Sequence, residues 1–566
     1  MNLKNVLACT TIAGLLSACG GGGSSGGAIG SVPPAPAPTN SSLADLRYDQ
    51  SFANDAAGVS AVWDTTTGTG VSSRPEPVSL AIAYDADTNG YTISANNVVR
   101  TFLPADIQTT TENDTVYRAD DTLLTLISKG YAGDLTTNYV RMGLLQDIRV
   151  EGSLQSSDLI SFTYGLPTRA AATPRSGSAA YATQAYGVST APGEEPKIFM
   201  GTGQIDFDFA EGIFSGHSYL NEYGLVSGSG ASGGRIELTT VGQISSQDAS
   251  LTGTAVFGGW DGIVTSELNG SLYGPVGQEL GASFSGQNAD GMSVTGSIVG
   301  QQDSALTRAN LSFANMTQEQ RFITQISEYA HGSLTWQNSE TFLFYGYSSD
   351  QSGGQFTISD KVNGRTNFRT YQKTFDNAYY GTQDVTLELY QTGASNSQLP
   401  LTYASFGHWQ GSLPASYNGP AHEWFVYGFQ TPRYALDNRT GSASYEGVAY
   451  GTGMSNSARY DVRGTSRLDM DFGSDTFTGA LALNGVESVT SAPVDFGSIA
   501  FSGTINSRAS MFTGDFQAGG SLGSAISGQF YGPDGGEVAG TFVFNAPDGN
   551  PMAGTNVQGA FAATRR

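Results

Sequence analysis

Gly201-Thr202-Gly203-Gln204-Ile205-Asp206-Phe207-Asp208-Phe209, followed by Phe214-Ser215-Gly216, returns as Gly464-Thr465-Ser466-Arg467-Leu468-Asp469-Met470-Asp471-Phe472, followed by Phe477-Thr478-Gly479. The spacing is the same and the Asp-x-Asp-Phe core is identical. Three more blocks repeat in the same order. Phe162-Thr163-Tyr164-Gly165 pairs with Phe425-Val426-Tyr427-Gly428, and Gly177-Ser178-Ala179-Ala180-Tyr181 with Gly441-Ser442-Ala443-Ser444-Tyr445. Tyr273-Gly274-Pro275 with Glu279 and Phe284 pairs with Tyr531-Gly532-Pro533 with Glu537 and Phe542. Four ordered matches at a nearly constant offset mean that one design is used twice.

Each copy has two parts. Residues 46–172 and 311–436 carry long polar loops and read as a handle. Residues 173–302 and 437–566 are Gly-rich, with turn signals at close intervals. About 130 residues suit eight short antiparallel strands closed into a barrel, which abolishes exposed sheet edges. Bulky inward residues would fill such a barrel, and Phe207, Phe209, Phe214, Met470, Phe472 and Phe477 are the candidates. The fold class is all-β, in two lobes, each a handle followed by an eight-stranded barrel.

Turn chemistry agrees. Asn89-Gly90, Asp261-Gly262, Asn269-Gly270, Asp290-Gly291, Asn363-Gly364, Asn484-Gly485, Asp534-Gly535 and Asp548-Gly549 are dipeptides that tight hairpins favour, because their central residues need positive φ. Helical periodicity is nearly absent, and the best stretch for a helix is 317–327. With 75 Gly, 11% aromatic and only 13% charged residues, the chain is not a disordered one.

The first residues read as an export signal. Lys4 gives a short positive start, residues 6–16 form an apolar run too short to span a bilayer, and Leu16-Ser17-Ala18-Cys19 follows. That tetrapeptide resembles the bacterial lipobox, which implies cleavage after 1–18 and lipidation of Cys19. Residues 19–45 continue as a Gly/Pro/Ser-rich tether. Gly20 after the Cys resembles the sorting signal for the outer membrane. Cys9 leaves with the signal, so no thiol or disulfide is expected in the mature chain. Cleavage removes Lys4 alone and leaves 25 Lys and Arg against 50 Asp and Glu. Such an acidic surface argues against nucleic acid and favours basic partners.

The Tyr-Gly-Pro elements with Glu279 and Glu537, the Gly-x-Ala-x-Tyr openings at Gly177 and Gly441, and the lipobox with its tether together resemble the transferrin-binding protein B family of surface lipoproteins. The resemblance covers nearly the whole mature chain. It implies the bilobed handle-and-barrel plan and a function of capturing iron-loaded transferrin for a TonB-dependent outer-membrane transporter. Relatives capture lactoferrin, haemoglobin, haem or complement regulators. The resemblance places the binding loops mainly at the exposed end of the first lobe, without a motif that names a residue. Two departures stand out: the second lobe lacks the family's disulfides, and the 30–38 tether lacks charge. The Glu of the Tyr-Gly-Pro element is expected to accept backbone N–H groups that the turn leaves free.

Chemical motifs are sparse. Gly230-Ala231-Ser232-Gly233-Gly234 and Gly519-Gly520-Ser521-Leu522-Gly523 match a nucleophile elbow without its strand-to-helix setting. Gly228 to Gly233 matches a dinucleotide fingerprint without a βαβ unit. Asp85-Ala86-Asp87-Thr88-Asn89-Gly90 opens like a calcium loop but reads as a capped hairpin turn. Asp206/Asp208 and Asp469/Asp471 read as turn or inter-strand hydrogen bonders rather than an acid/base pair. His408-Trp409 and His422-Glu423-Trp424 read as loop histidines beside core tryptophans, with flanking of a haem edge as the sharper alternative. Tyr371, Phe375, Tyr379, Tyr380, Tyr390 and Tyr403 are candidate contact aromatics, at least half of them sheet core. His217 and His331 carry no pattern.

No catalytic residue, metal site or cofactor is expected, and the chain reads as a binding protein. Two functions remain open. One is a surface lipoprotein capturing an iron- or haem-carrying protein (transferrin-like or a haem carrier) for a TonB-dependent receptor. The other is a lipoprotein that binds a small haem-type solute without a host-protein partner.

Overall fold

Alternating apolar residues and frequent Gly turns leave the chain one way to bury its aromatics, as antiparallel sheets. The computed structural model describes residues 39–566 except 97, 132–134, 229, 231–235, 328–329, 339–340, 346–352, 378–380, 412–420, 456–457, 518–523, 547, 549 and 551. Asn40–Arg566 is one compact unit. A ten-stranded sheet from Gln50–Asp64 to Leu154–Gly165 precedes a closed barrel of eight strands, Ser178–Thr190 to Ser293–Gln302. A nine-stranded sheet from Gln320–Gln325 to Ala421–Gly428 precedes a second closed eight-stranded barrel, Ser442–Met454 to Asn556–Arg565.

Both barrels are filled. Phe207, Phe209 and Phe214 pack with Phe199, Phe257 and Phe284 in the first. Met470, Phe472 and Phe477 sit in the second core with Phe501, Phe512 and Phe561. Their alternation with Asp206, Asp208, Asp469 and Asp471 sends the carboxylates to the outside.

The two handles share a topology that the sequence did not reveal. In each, the first strand pairs with the last in the middle of the sheet, and the two edge strands are consecutive in the chain. Val98–Phe102 and Ile107–Thr110 are the edges of the first, Gly353–Phe356 and Lys361–Val362 those of the second. A short 3-10 turn joins each pair and is capped alike, Asp106 Oδ2 accepting from Leu103 N and Asp360 Oδ2 from Thr357 N, both at 2.8 Å.

The duplication extends to individual hydrogen bonds. Asn40 Oδ1 accepts from Arg47 N and Tyr48 N, as Asn310 Oδ1 does from Thr317 N and Gln318 N. Tyr181 and Tyr445 donate their hydroxyls to Gly277 O and Gly535 O in the bend after Tyr-Gly-Pro. Gly165 and Gly428 must be glycine, since a Cβ would lie 1.9 Å from Tyr139 O and 2.1 Å from Tyr403 O.

Glu279 and Glu537 differ from expectation in an informative way. Their carboxylates do accept backbone N–H groups, but those of the handle rather than of the turn. Glu279 takes Asn138, Tyr139 and Val140 at 2.8, 2.7 and 3.1 Å. Glu537 takes Thr402, Tyr403 and Ala404 at 2.7, 2.9 and 2.7 Å. The Pro-containing turn aims the Glu across the seam, so each motif fastens a handle onto its barrel.

Three other expectations change. Within 317–327 the chain forms the strand Gln320–Gln325 instead of a helix; Phe322 and Thr324 are buried while Arg321 and Ile323 are exposed, a period of two. Asn269-Gly270 and Asn484-Gly485 lie inside Gly262–Tyr273 and Thr476–Glu487 rather than at turns. Gly270 is there because the neighbouring strand's Gly281 O would sit 2.4 Å from a Cβ, and Asn484 marks a register shift. By contrast Asn89, Gly262, Gly291 and Gly535 do take positive φ at turns, and Asp85 Oδ1 caps its hairpin by accepting from Thr88 N at 2.8 Å.

The paired aspartates serve turns and the joint between lobes. Asp208 Oδ1 accepts from Ala210 N and Glu211 N, and its Oδ2 from the Ser312 hydroxyl at 3.0 Å. Asp469 Oδ1 accepts from the Ser444 hydroxyl and Asp471 Oδ1 from Gly473 N. Residues 303–312 are held to the first barrel by Asp303 N to Ala180 O, Gln204 Nε2 to Thr307 O and Arg308 to Ser178. Asp208→Ala removes a buried acceptor from Ser312 and two turn amides. It is expected to cost about 2–3 kcal/mol and to speed tryptic cleavage after Arg308 about tenfold, read by limited proteolysis.

Candidate functional site

The first lobe gathers apolar side chains at one end. Handle turns 65–68 and 152–153 meet barrel loops 191–196, 225–228, 260–261 and 288–291 there. Thr65 N donates to Ser153 O, Gly70 N to Glu194 O and Gly193 N to Gly70 O. Ser73 Oγ donates to Gly291 O, and Glu195 Oε1 accepts from Val226 N and Ser227 N. Val71, Val150, Leu154, Leu225, Val226, Trp260 and Ile263 are exposed around these loops, Val226 at 64% and Val150 at 60%. Strand geometry accounts for this, since residues flanking hairpin tips lie beyond the reach of the core. Apolar clusters of this kind on a soluble surface mark places where another molecule docks.

Asp64, Glu194, Glu195, Asp261 and Asp290 rim the same end, against Lys197, which pairs with Asp261. Backbone donation by Ser227 holds the Glu195 carboxyl below the usual range. The surface is therefore apolar with an acidic border, suited to a partner with apolar anchors and basic residues.

The second lobe carries a different feature. Glu388, His408 and Trp424 occupy directly paired positions on three adjacent strands, Gly381–Tyr390, Ala404–Gly411 and Ala421–Gly428. The face they share packs against the barrel. His408 Nδ1 lies 3.1 Å from Glu388 Oε2, and His408 Nε2 lies 2.9 Å from His422 Nδ1. The two imidazole planes are 3° from parallel, and the Trp424 ring lies 4.3 Å from that of His408. Trp424 Nε1 donates to Thr452 Oγ1 of the barrel. Arg365 lies 3.6 Å from Glu388 and 3.0 Å from Asp461.

Burial, with the charge of Arg365 nearby, keeps His408 neutral despite its carboxylate partner. Burial and the neighbouring His408 pull His422 down to about 3. Burial pushes Glu388 up, but the bond from His408 and the charge of Arg365 outweigh it and leave the carboxyl below its usual range. A carboxylate at one end then orders the line: His408 donates from Nδ1, His422 donates from its own Nδ1, and His422 Nε2 keeps a lone pair.

His408 and His422 are thus strand residues in one hydrogen-bonded line, not loop residues. With both nitrogens engaged, His408 has none to offer a haem iron. Tyr371 and Tyr390 are core, and Phe375 and Tyr403 pack against core clusters, because alternation turns them inward. Tyr379, Tyr380, Cys19 and the elbow-like residues 231–234 and 519–523 lie outside the described residues. His217 stacks edge-on with Tyr219 on the barrel exterior and His331 is exposed at a strand start. The apolar loop end was not foreseen. Its one local signal was Trp260 set directly before the Asp261-Gly262 turn; the rest comes together only through strand pairing.

Residues 438–565 match the family described as the C-lobe and N-lobe beta barrels of Tf-binding protein B. Solved structures similar to the chain include a double mutant of the vaccine antigen transferrin binding protein B from Haemophilus parasuis, at 16% identity, covering 90% of this chain and 95% of that one, with a TM-score of 0.27. Intact Ap-TbpB, with its N and C lobes, is 16% identical over 90% of this chain and 95% of that one, TM-score 0.26. Isotype 1 transferrin binding protein B from serogroup B Neisseria meningitidis is 17% identical over 76% and 86%, TM-score 0.24. No curated protein matches the chain. The family match spans the second barrel.

Proposed function

We propose that this chain, whose residues 438–565 match the C-lobe and N-lobe beta barrels of Tf-binding protein B, captures an iron- or haem-carrying protein at the cell surface and works with a TonB-dependent outer-membrane receptor. On this reading Cys19 is the lipidated first residue of the mature protein, anchored in the outer membrane, and residues 19–45 are the tether that lets the lobes reach outward. The observation that carries the reading is the apolar, acid-rimmed loop end of the first lobe. Loops far apart in sequence meet at this end through Gly70 with Glu194, Gly193 with Gly70 and Ser73 with Gly291, and exposed apolar side chains flank them.

The test immobilises the chain from Ser41 onward and exposes it to serum and to detergent-extracted outer membrane, with retained proteins identified by mass spectrometry. A transferrin, a haem carrier or a TonB-dependent receptor retained specifically is the expected result. Retention no greater than on a blank surface would end the capture reading. Replacing Val150 and Val226 by Lys and Trp260 by Ala is expected to lower affinity for the retained protein at least tenfold, since central apolar anchors typically carry about 2 kcal/mol or more each. The check is surface plasmon resonance with each variant.

A further inference from the structure

The two lobes fill the same place in different ways. Glu279 and Glu537 align the handles, setting Val140 against Ala404. Gly165 and Gly428, which pair with those residues, align the last strands. By these registers Thr125, Leu144, Leu159 and Ser161 stand where the second handle has Glu388, His408, His422 and Trp424. Leu144 and Leu159 belong to an apolar cluster between the first handle and its barrel. The fold therefore does not need a charged line at this seam, and burying one there costs stability.

That line ends on an atom the fold does not use. His422 Nε2 is buried and has no hydrogen-bond partner among the described residues, where an unmet acceptor is normally satisfied or absent. His422 also lines a cavity of about 230 Å³ between handle and barrel. Trp424 and Val543 supply apolar wall; Ser327, Ser527, Thr541 and Gln558 supply polar rim. Ser527 Oγ already accepts from Gln325 Nε2, so its own proton is available to a guest. Among the described residues no group of three His, Cys, Asp or Glu side chains is placed to hold a metal ion. The cavity is smaller than those that drug-sized ligands occupy, and its size fits a guest of one ring or two small fused rings.

We propose that this seam is a binding site for a small neutral ring compound that donates an N–H or O–H to His422 Nε2. Glu388 and His408 are positioning residues. The carboxylate fixes the proton on His408 Nδ1, which fixes that of His422 and turns the remaining lone pair to the guest. The ring of the guest lies against Trp424 and Val543. This site is separate from the loop end of the first lobe, and the two readings stand or fall independently.

Indole and phenol, each with one donor, and toluene, with none, are the probes, titrated into residues 40–566 labelled with ¹⁵N histidine. Saturable shifts of the His422 Nε2 resonance at millimolar indole and phenol are expected, with toluene at least tenfold weaker. The combined substitution Glu388→Thr, His408→Leu and His422→Leu installs the residues of the first lobe; it is expected to abolish indole binding with the thermal transition retained. Glu388→Gln is expected to erode the Nδ1-protonated signature of both rings and to weaken indole several-fold without lowering the transition. No saturable shift in the unsubstituted protein would overturn the proposal, and so would equal binding of indole and toluene. Undiminished indole binding by the combined variant would do the same.

Discussion

Replacing Glu537 by alanine is expected to unfasten the second handle from its barrel at a cost of about 3–6 kcal/mol. The carboxylate is 5% exposed and accepts three consecutive N–H groups at 2.7–2.9 Å. Truncation leaves three donors buried beside a small void, each worth roughly 1–3 kcal/mol unless water enters. Beside the lost clamp the Thr431 hydroxyl on Gly532 O, Gln325 on Ser527, Trp424 on Thr452 and the apolar cluster of Phe406 and Tyr450 still join the parts. Glu279→Ala should act alike on the first lobe, where Thr168 on Gly274 O is the corresponding remnant. Urea unfolding and chymotryptic cleavage after Tyr403 check this. An unchanged urea midpoint for Glu537→Ala would show that the clamp contributes nothing.

Acid is expected to weaken the second lobe before the first. His422 is held down to about 3 in the folded protein against about 6.5 when unfolded, and His408 is lowered as well. The unfolded chain therefore binds protons that the native one refuses. For His422 stability is fully present above about pH 6.5 and is lost as the pH falls toward 3, at about 1.4 kcal/mol per pH unit, and His408 adds loss of the same sign. His422 alone takes away about 3 kcal/mol by pH 4. Glu388, depressed when folded, adds loss of the same sign as the pH drops through its folded value. Glu279 and Glu537, both raised by burial, act the other way and in both lobes. Comparison with the Glu388→Thr, His408→Leu, His422→Leu variant isolates the line of Glu388, His408 and His422. Thermal unfolding from pH 7 to pH 4 should fall steeply for the natural sequence and much less for the variant; parallel slopes would refute the assignment.

Repetition made the architecture readable. The Asp-x-Asp-Phe and Tyr-Gly-Pro blocks recur because each barrel needs the same inward aromatics and the same bend, so spacing and residue type survive together. The handles were read only as irregular, since their central strand pairs with one more than a hundred residues away, a separation that local periodicity does not register. Gln320–Gln325 was mistaken for a helix because six residues are too few to separate the two periods. Glu279 and Glu537 were rightly picked as acceptors of backbone N–H groups, but their partners lie across the seam, and no local pattern names them. The histidine line was half legible. His408, His422 and Trp424 stood out by type, whereas Glu388 and Arg365 joined them only through strand register. The exposed end of the first lobe was the least legible part, because Val150, Val226 and Trp260 look like ordinary strand residues until the loops converge.

The clamp also bears on how such a molecule can change over generations. Glu279 and Glu537 grip main-chain N–H groups, so the gripped side chains are free to differ, and two of three do: Asn138 and Val140 in one lobe stand where Thr402 and Ala404 stand in the other, while Tyr139 and Tyr403, which lie against Gly274 and Gly532, are the same. A clamp that reads the flanking positions through the main chain lets a handle drift there without renegotiating its seat. Lineages under pressure to recognise a shifting target could then renew the recognition surface while inheriting the attachment unchanged.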